Sequence, residues 1–346
     1  MNANPPTTAR VAWVTGATII VLVAAAVGGL VIGPTSIGFS RVLGDVLSHL
    51  GLGHTTLTPL QSVIVWQLRA PRMVLGLLAG AMLAVAGGTY QGVFRNPLAD
   101  PYLLGVAAGA GLGATIAIAD VGGGLSTPSW TPLLAFAGAL VAVAVTWAIG
   151  GRGLRTSTSS LILAGVAVAS LFTSAQTFLQ QQASVNSLAR VYIWLLGSLA
   201  SASWSSVTLV LPYVVICAVI CLVAARALDV MSVGEDESRS LGVPVGRVRL
   251  LVVAAASLGT AAVVSAVGLI GFVGIVVPHV VRLLVGTSYR RILPISVIAG
   301  AGFLVIADTI ARTVMAPSEL PLGVVTALVG APVFVFILSL RGRVAM

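Results

Sequence analysis

Ten apolar runs set the rhythm of the chain, at 11–32, 73–94, 102–119, 131–149, 161–179, 207–225, 250–269, 271–285, 292–307 and 322–340, with short polar stretches between them. A bilayer core of ~30 Å takes ~20 apolar residues as a helix. Backbone groups in lipid must bond within the chain, so runs of this kind are read as helices. The pattern predicts an all-α, polytopic membrane protein with about ten transmembrane helices in one domain over 1–346. The run at 271–285 is the most interrupted, because Pro278 and His279 fall inside it.

One polar stretch departs from this rhythm. Residues 229–249 hold Asp229, Glu235, Asp236, Glu237, Arg239, Arg247 and Arg249, in a chain that is only 8% charged. Such a segment faces water. Ser232-x-x-Glu235 has the spacing of a capping box, with a helix running on through Arg239 and Leu241. Gly242 fits the left-handed position after a helix, and Pro244 follows where the helix cannot continue. The segment therefore reads as a short helix at 233–241, a sharp turn, and a second short helix leading into the seventh run.

Composition sharpens the class. Mean hydropathy is +1.09 and 58% of residues are hydrophobic. The first run is too long for the 7–15-residue apolar region of a signal peptide and reads as a span. All 18 basic residues are arginine. With ten spans and the N-terminus inside, only Arg41, Arg69, Arg72, Arg190 and Arg312 fall outside, leaving thirteen within. This agrees with the positive-inside rule and places both termini and the 229–249 loop in the cytoplasm. The net charge of +9 then needs no nucleic acid to explain it. Cys217 and Cys221, one helical turn apart, read as small packing residues rather than a redox or metal pair.

The residues that are missing matter as much. A phosphate-binding G-x-x-x-x-G-K-[ST] loop requires lysine, and a Schiff base does too, so this chain contains neither. Any ATPase that drives it is a separate polypeptide. An ion-coupled carrier, the alternative class, places acids or His in mid-membrane. Here only Asp308 and His279 approach the spans, and Asp308 lies four residues before Arg312, a spacing that suits a local helix pair. His279, beside a proline near a span end, reads as structural; His49 and His54 lie in the first outer loop. No metal or cofactor is implied. Gly76, Gly80, Ala84, Gly88 and Gly92 recur every four positions, and Gly105, Gly109 and Gly113 repeat the spacing, as close helix packing in lipid requires.

Three blocks carry a resemblance: "RAPRMVLGLLAGAMLAVAGGTYQGVFRNPLADPYLLGVAAGAGLGA" (69–114), "GEDESRSLGVPVGRVR" (234–249), and "GLIGFVGIVVPHVVRLLVG" (268–286) continuing to "ADTIARTVMAPSELPLGVVTALVGAPVFVFIL" (307–338). In this order they resemble the FecCD family, permease subunits of type II ABC importers for iron chelates, haem and cobalamin. The resemblance implies a homodimer of permeases, two ATP-binding subunits beneath it, and an extracytoplasmic substrate-binding protein above. It makes 229–249 a cytoplasmic coupling loop, with Glu235, Arg239, Leu241 and Gly242 at the ATPase contact. A cytoplasmic gate is implied at Asn96 and Leu98 in "RNPLADP" and at Thr158 and Ser159 in "TSTSSLILAG"; N-capping of the fifth span by Thr158 or Ser159 is the simpler reading. Arg69, Arg72 and Arg312, which run against the charge rule, match arginines that pair with glutamates of the binding protein, while headgroup snorkelling would also account for them. A ferric siderophore is the expected cargo, with haem or cobalamin next.

Overall fold

The computed structural model describes residues 7–35, 37–49, 57–119, 130–151 and 158–342. In chain order the helices are α1 (Thr8–Val31), α2 (Phe39–His49) and α3 (Pro59–Val63), which runs through a π-helical turn at Ile64–Arg69 into α4 (Ala70–Val93). Then come α5 (Val106–Ala119), α6 (Trp130–Gly150), α7 (Thr158–Gln182), α8 (Val185–Leu195), α9 (Trp204–Val223), α10 (Ala225–Met231) and α11 (Glu235–Ser240). The last four are α12 (Val245–Val267), α13 (Val273–Val285), α14 (Tyr289–Ala311) and α15 (Leu322–Gly342). Every apolar run has become a helix, and no strand occurs among the described residues. Seven helices are long and apolar enough to cross a bilayer, counting α3 to α4 as one, and the shorter apolar α5, α13 and α15 supply three more.

Side-chain ties show how the helices alternate. Arg10 Nη2 donates to Leu283 O at 3.4 Å, so α1 begins where α13 ends. Ser288 Oγ donates to Asp229 Oδ2 at 2.8 Å, which brings α10 to the same face. Arg312 Nη2 donates to Gly29 O, so α1 and α14 end together at the opposite face. The charged loop and the start of α1 thus share one face of the bundle.

The small-residue rows explain the core. Lipid offers no hydrophobic drive between helices, so close backbone approach must supply the packing energy. Along α4, Gly80 and Ala84 meet Gly300 of α14, and Gly88 receives the Leu293 side chain. Gly109 faces Gly138 of α6, with Gly113 against Leu134. Gly105 is an exception to the expected row, since it lies in the turn before α5 with φ +82°.

The structure also shows why Pro278 does not break α13. Proline lacks the N–H that would bond the carbonyl four residues back. That carbonyl, on Gly274, accepts instead from Gln91 Nε2 of α4 at 3.4 Å, and Ile275 O accepts from the same nitrogen at 3.2 Å. Both α5 and α13 are shorter than the ~20 residues a bilayer core takes. Each is preceded by irregular backbone, at 94–105 and 268–272, and the two segments meet at Tyr102. Its hydroxyl donates to Ile270 O (3.0 Å) and accepts from Ile270 N (3.2 Å). Irregular backbone at membrane depth survives only where protein covers it.

Candidate functional site: the charged loop, the α4–α7 end and the arginine cluster

The charged loop folds as an ordered knob, and two expectations about it are corrected. Ser232 does not cap α11; it closes α10, its hydroxyl donating to Asp229 O at 2.6 Å. The N-cap of α11 is Gly234, with no side-chain cap bond, and the helix begins at Glu235 rather than 233. No separate short helix precedes the seventh run either, because α12 is continuous from Val245. The two short helices are α10 and α11. The start of α10 had been absorbed into the sixth apolar run, whose hydropathy continues past the true helix end.

The turn itself follows the expectation. Gly242 has φ +82°, its N–H donates to Arg239 O (3.0 Å), and the N–H of Val243 donates to Ser238 O (3.0 Å). These two bonds satisfy the last carbonyls of α11 in the manner of a Schellman turn. Ser238 is fully buried and its hydroxyl also reaches Val230 O at 2.9 Å, tying α11 back to α10.

Two side-chain ties bind the knob to the bundle, one an ion pair and the other a pair of hydrogen bonds to a carboxylate. Glu235 pairs with Arg249 in the second turn of α12, whose side chain is buried, and Arg239 holds Glu235 from the other side at 3.5 Å. Asp229 receives the Ser288 hydroxyl and the Tyr289 N–H at the start of α14. Glu235 is therefore an anchor. The surface of the knob is formed by Leu241 and Val233, 68% and 69% exposed, beside the half-exposed Arg239. An apolar tip on a rigid, charge-tied base is suited to seating in a groove of another protein and passing its movement to α12 and α14.

The four residues expected at a gate lie at this same face, two at the end of α4 and two at the start of α7. Arg95 turns the chain out of α4 with φ +47°, and Asn96 Oδ1 accepts from Leu98 N at 2.9 Å, closing a local turn. Leu98 is 43% exposed. Thr158 and Ser159 are the first two described residues of α7. The Thr158 hydroxyl is buried with no hydrogen-bond partner among the described residues, so it does not cap the helix. From this start α7 carries an exposed face along its length, in which Ser159, Ser170, Thr173, Ser174 and Thr177 alternate with Leu163, Val166 and Phe178. Rows of small hydroxyls on a spanning helix mark helix contact or a wet path rather than bulk lipid.

At the opposite face the three exceptional arginines sit in one cluster with their partners. Arg69 is 4% exposed and donates to Leu30 O (2.8 Å), Val31 O (2.7 Å) and Thr35 O (2.5 Å), satisfying the carbonyls that the end of α1 leaves open. Arg312, also 4% exposed, bonds Gly29 O in the same end. Arg72 forks between Asp308 (2.8–3.0 Å) and Glu319 (2.9 Å). The Asp308–Arg312 pair exists at 3.8 Å, but Arg72 is the closer partner of Asp308. Snorkelling is thereby corrected: these guanidiniums turn inward to carbonyls and carboxylates. Sequence spacing could not reveal pairs separated by 236 and 247 positions.

The remaining candidates have local roles. His49 lies in α2, its ring against Trp66 with centroids 4.7 Å apart, while the Trp66 indole donates to buried Asp45 at 2.6 Å. His54 lies outside the described residues. His279 is buried within α13, and no group of three potential metal ligands occurs among the described residues. Cys217 and Cys221 are free and buried.

Ten alternating apolar helices, with a polar helix face and an ordered knob on one side, define a multi-pass helical membrane protein. The FecCD transport family matches over residues 18–340, and the chain belongs to that family of ABC-importer permease subunits. It is 44% identical over 283 residues to the cobalamin import system permease protein BtuC of Halobacterium salinarum, covering 81% of this chain and 74% of that one. It is 40% identical over 306 residues to the uncharacterised ABC transporter permease YvrB of Bacillus subtilis, covering 86% and 85%. The vitamin B12 import permease BtuC of Escherichia coli is 39% identical over 287 residues, covering 83% and 86%. Among solved structures, an inward-facing metal-chelate type ABC transporter superposes with a TM-score of 0.82 at 29% identity, covering 94% of this chain and 98% of that one.

Proposed function

We propose that this chain forms, as a homodimer, the membrane pathway of an ATP-driven importer of cobalamin, a metal chelate of the corrin class. The observation that carries the coupling half of the reading is the knob: an exposed Leu241–Val233 tip on α10–α11, tied by Glu235 to α12 and by Asp229 to α14. The chain has no lysine, so the nucleotide site belongs to a separate subunit beneath that knob. Two relatives named as BtuC support cobalamin as the cargo, ahead of the ferric siderophore expected from sequence. The hydroxyl-bearing face of α7 faces its copy across the pathway, with Asn96, Leu98, Thr158 and Ser159 narrowing the cytoplasmic end. At the outer face a carboxylate of the binding protein would compete for Arg72 with Glu319, its partly exposed second partner. Arg69 and Arg312 hold α1 beneath it.

Co-expression with its ATP-binding subunit tests the coupling. Leu241→Asp puts a charge on the apolar tip without touching the ties beneath it. The variant should reach the membrane at normal levels yet fail to co-purify with the ATPase. Undiminished co-purification sinks the assignment of the knob.

A further inference from the structure

We propose that a cleft behind α8 is a binding site for an anionic phospholipid. The cleft has a volume of about 570 Å³ and is bounded by the last turns of α5 and α12, the first turns of α6 and α9, and one side of α8. Pockets of this size, largely apolar with a few converging polar groups, are the usual form of small-molecule sites. Four spanning helices end or begin around it, on the face opposite the charged loop. The cleft therefore opens at the level where hydrocarbon gives way to headgroups, and it lies at the opposite end of the bundle from the knob.

Its chemistry selects an anion with an apolar body. Arg190 is the one ionisable side chain among the lining residues. Among the described residues only its Nη2 is engaged, by Ser187 Oγ at 3.1 Å and Ile118 O at 3.5 Å. Nε and Nη1 are left to donate single charge-assisted bonds to a phosphate. Ser198 and Ser206 add hydroxyls to the wall, and Trp194 stands beside them as an interfacial aromatic. The remainder is apolar. Ile193 and Leu209, 59% and 58% exposed, stand at its walls and give an acyl chain a surface to follow. A free inorganic ion would gain nothing from those walls, so charge and apolarity together favour a lipid.

Native mass spectrometry of the protein from nanodiscs of equimolar phosphatidylglycerol and phosphatidylcholine tests the site. One phosphatidylglycerol per chain should be retained in preference to phosphatidylcholine. Arg190→Gln removes a charge-assisted contact and should lower that retention about tenfold. Leu209→Trp, which keeps Arg190 but fills the wall, should lower it as well. Phosphatidylglycerol added to detergent-solubilised protein should raise the melting temperature, and inorganic phosphate should not. Equal retention of the two lipids, retention unchanged in Arg190→Gln, or equal stabilisation by phosphate and lipid overturns the proposal.

Discussion

Asp308 and Arg72 show what a single pair of residues does in this molecule. Asp308 is 4% exposed and accepts three close contacts from Arg72, which also holds Glu319. Removing one member of a buried ion pair leaves the other charge desolvated, at a cost of about 3–5 kcal/mol. Arg72→Gln should accordingly lower the melting temperature of the purified protein markedly, and Arg72→Gln with Asp308→Asn should recover much of the loss. Arg312→Gln should also destabilise, because Gly29 O loses its donor. Melting temperatures within a degree or so of the parent for both single variants would show that these contacts carry no stability. The three arginines were legible in sequence as exceptions to the charge rule; their partners were not, because each contact crosses between elements far apart in the chain.

Elements were legible where local chemistry decides them and obscure where tertiary contact does. All ten apolar runs became helices, since lipid admits no other backbone arrangement for them. The C-terminal turn at Gly242 was readable because only glycine adopts its φ without strain. Ser232 misled, since the capping-box spacing ignores α10, whose end claims that hydroxyl first. The amphipathic helices α2 and α8 were missed because they lie beside the spans and break the apolar rhythm. Gly242 has open space around it, so a side chain there meets a conformational penalty and no clash. Holding a β-branched residue at that φ costs on the order of 1–3 kcal/mol. Gly242→Val should thus distort the turn and suppress substrate-stimulated ATPase activity in the assembled complex, while Gly242→Asn, which tolerates the left-handed region, retains most of it. Equal stimulation in both would detach the turn from coupling. For the α4–α7 end, single cysteines at Leu98 and Ser159, in a background lacking Cys217 and Cys221, should crosslink between the two copies in one nucleotide state and not another. Disulfides form only below ~7 Å between Cα atoms, so absence of crosslinking in every state of an intact dimer argues against a gate there.

At the scale of the whole molecule, one rigid path joins function to fold. The knob is tied to α12 and α14, α14 packs along the glycine row of α4, and the turn that follows α4 holds Asn96 and Leu98. Under the proposed coupling, movement imposed on Leu241 and Val233 would pass to the end of α4 through close-packed backbone, which transmits displacement instead of absorbing it. The absence of lysine and the scarcity of buried acids within the spans were readable at once and pointed away from ion coupling. The cargo was not readable, because the apolar and hydroxyl-bearing face of α7 carries little chemical signature. The most direct test is accumulation of labelled cobalamin in proteoliposomes that hold this chain with its ATP-binding subunit and its binding protein. Accumulation should require ATP and the binding protein, ignore proton and sodium gradients, and vanish in Leu241→Asp. Accumulation driven by an ion gradient without ATP would contradict the account.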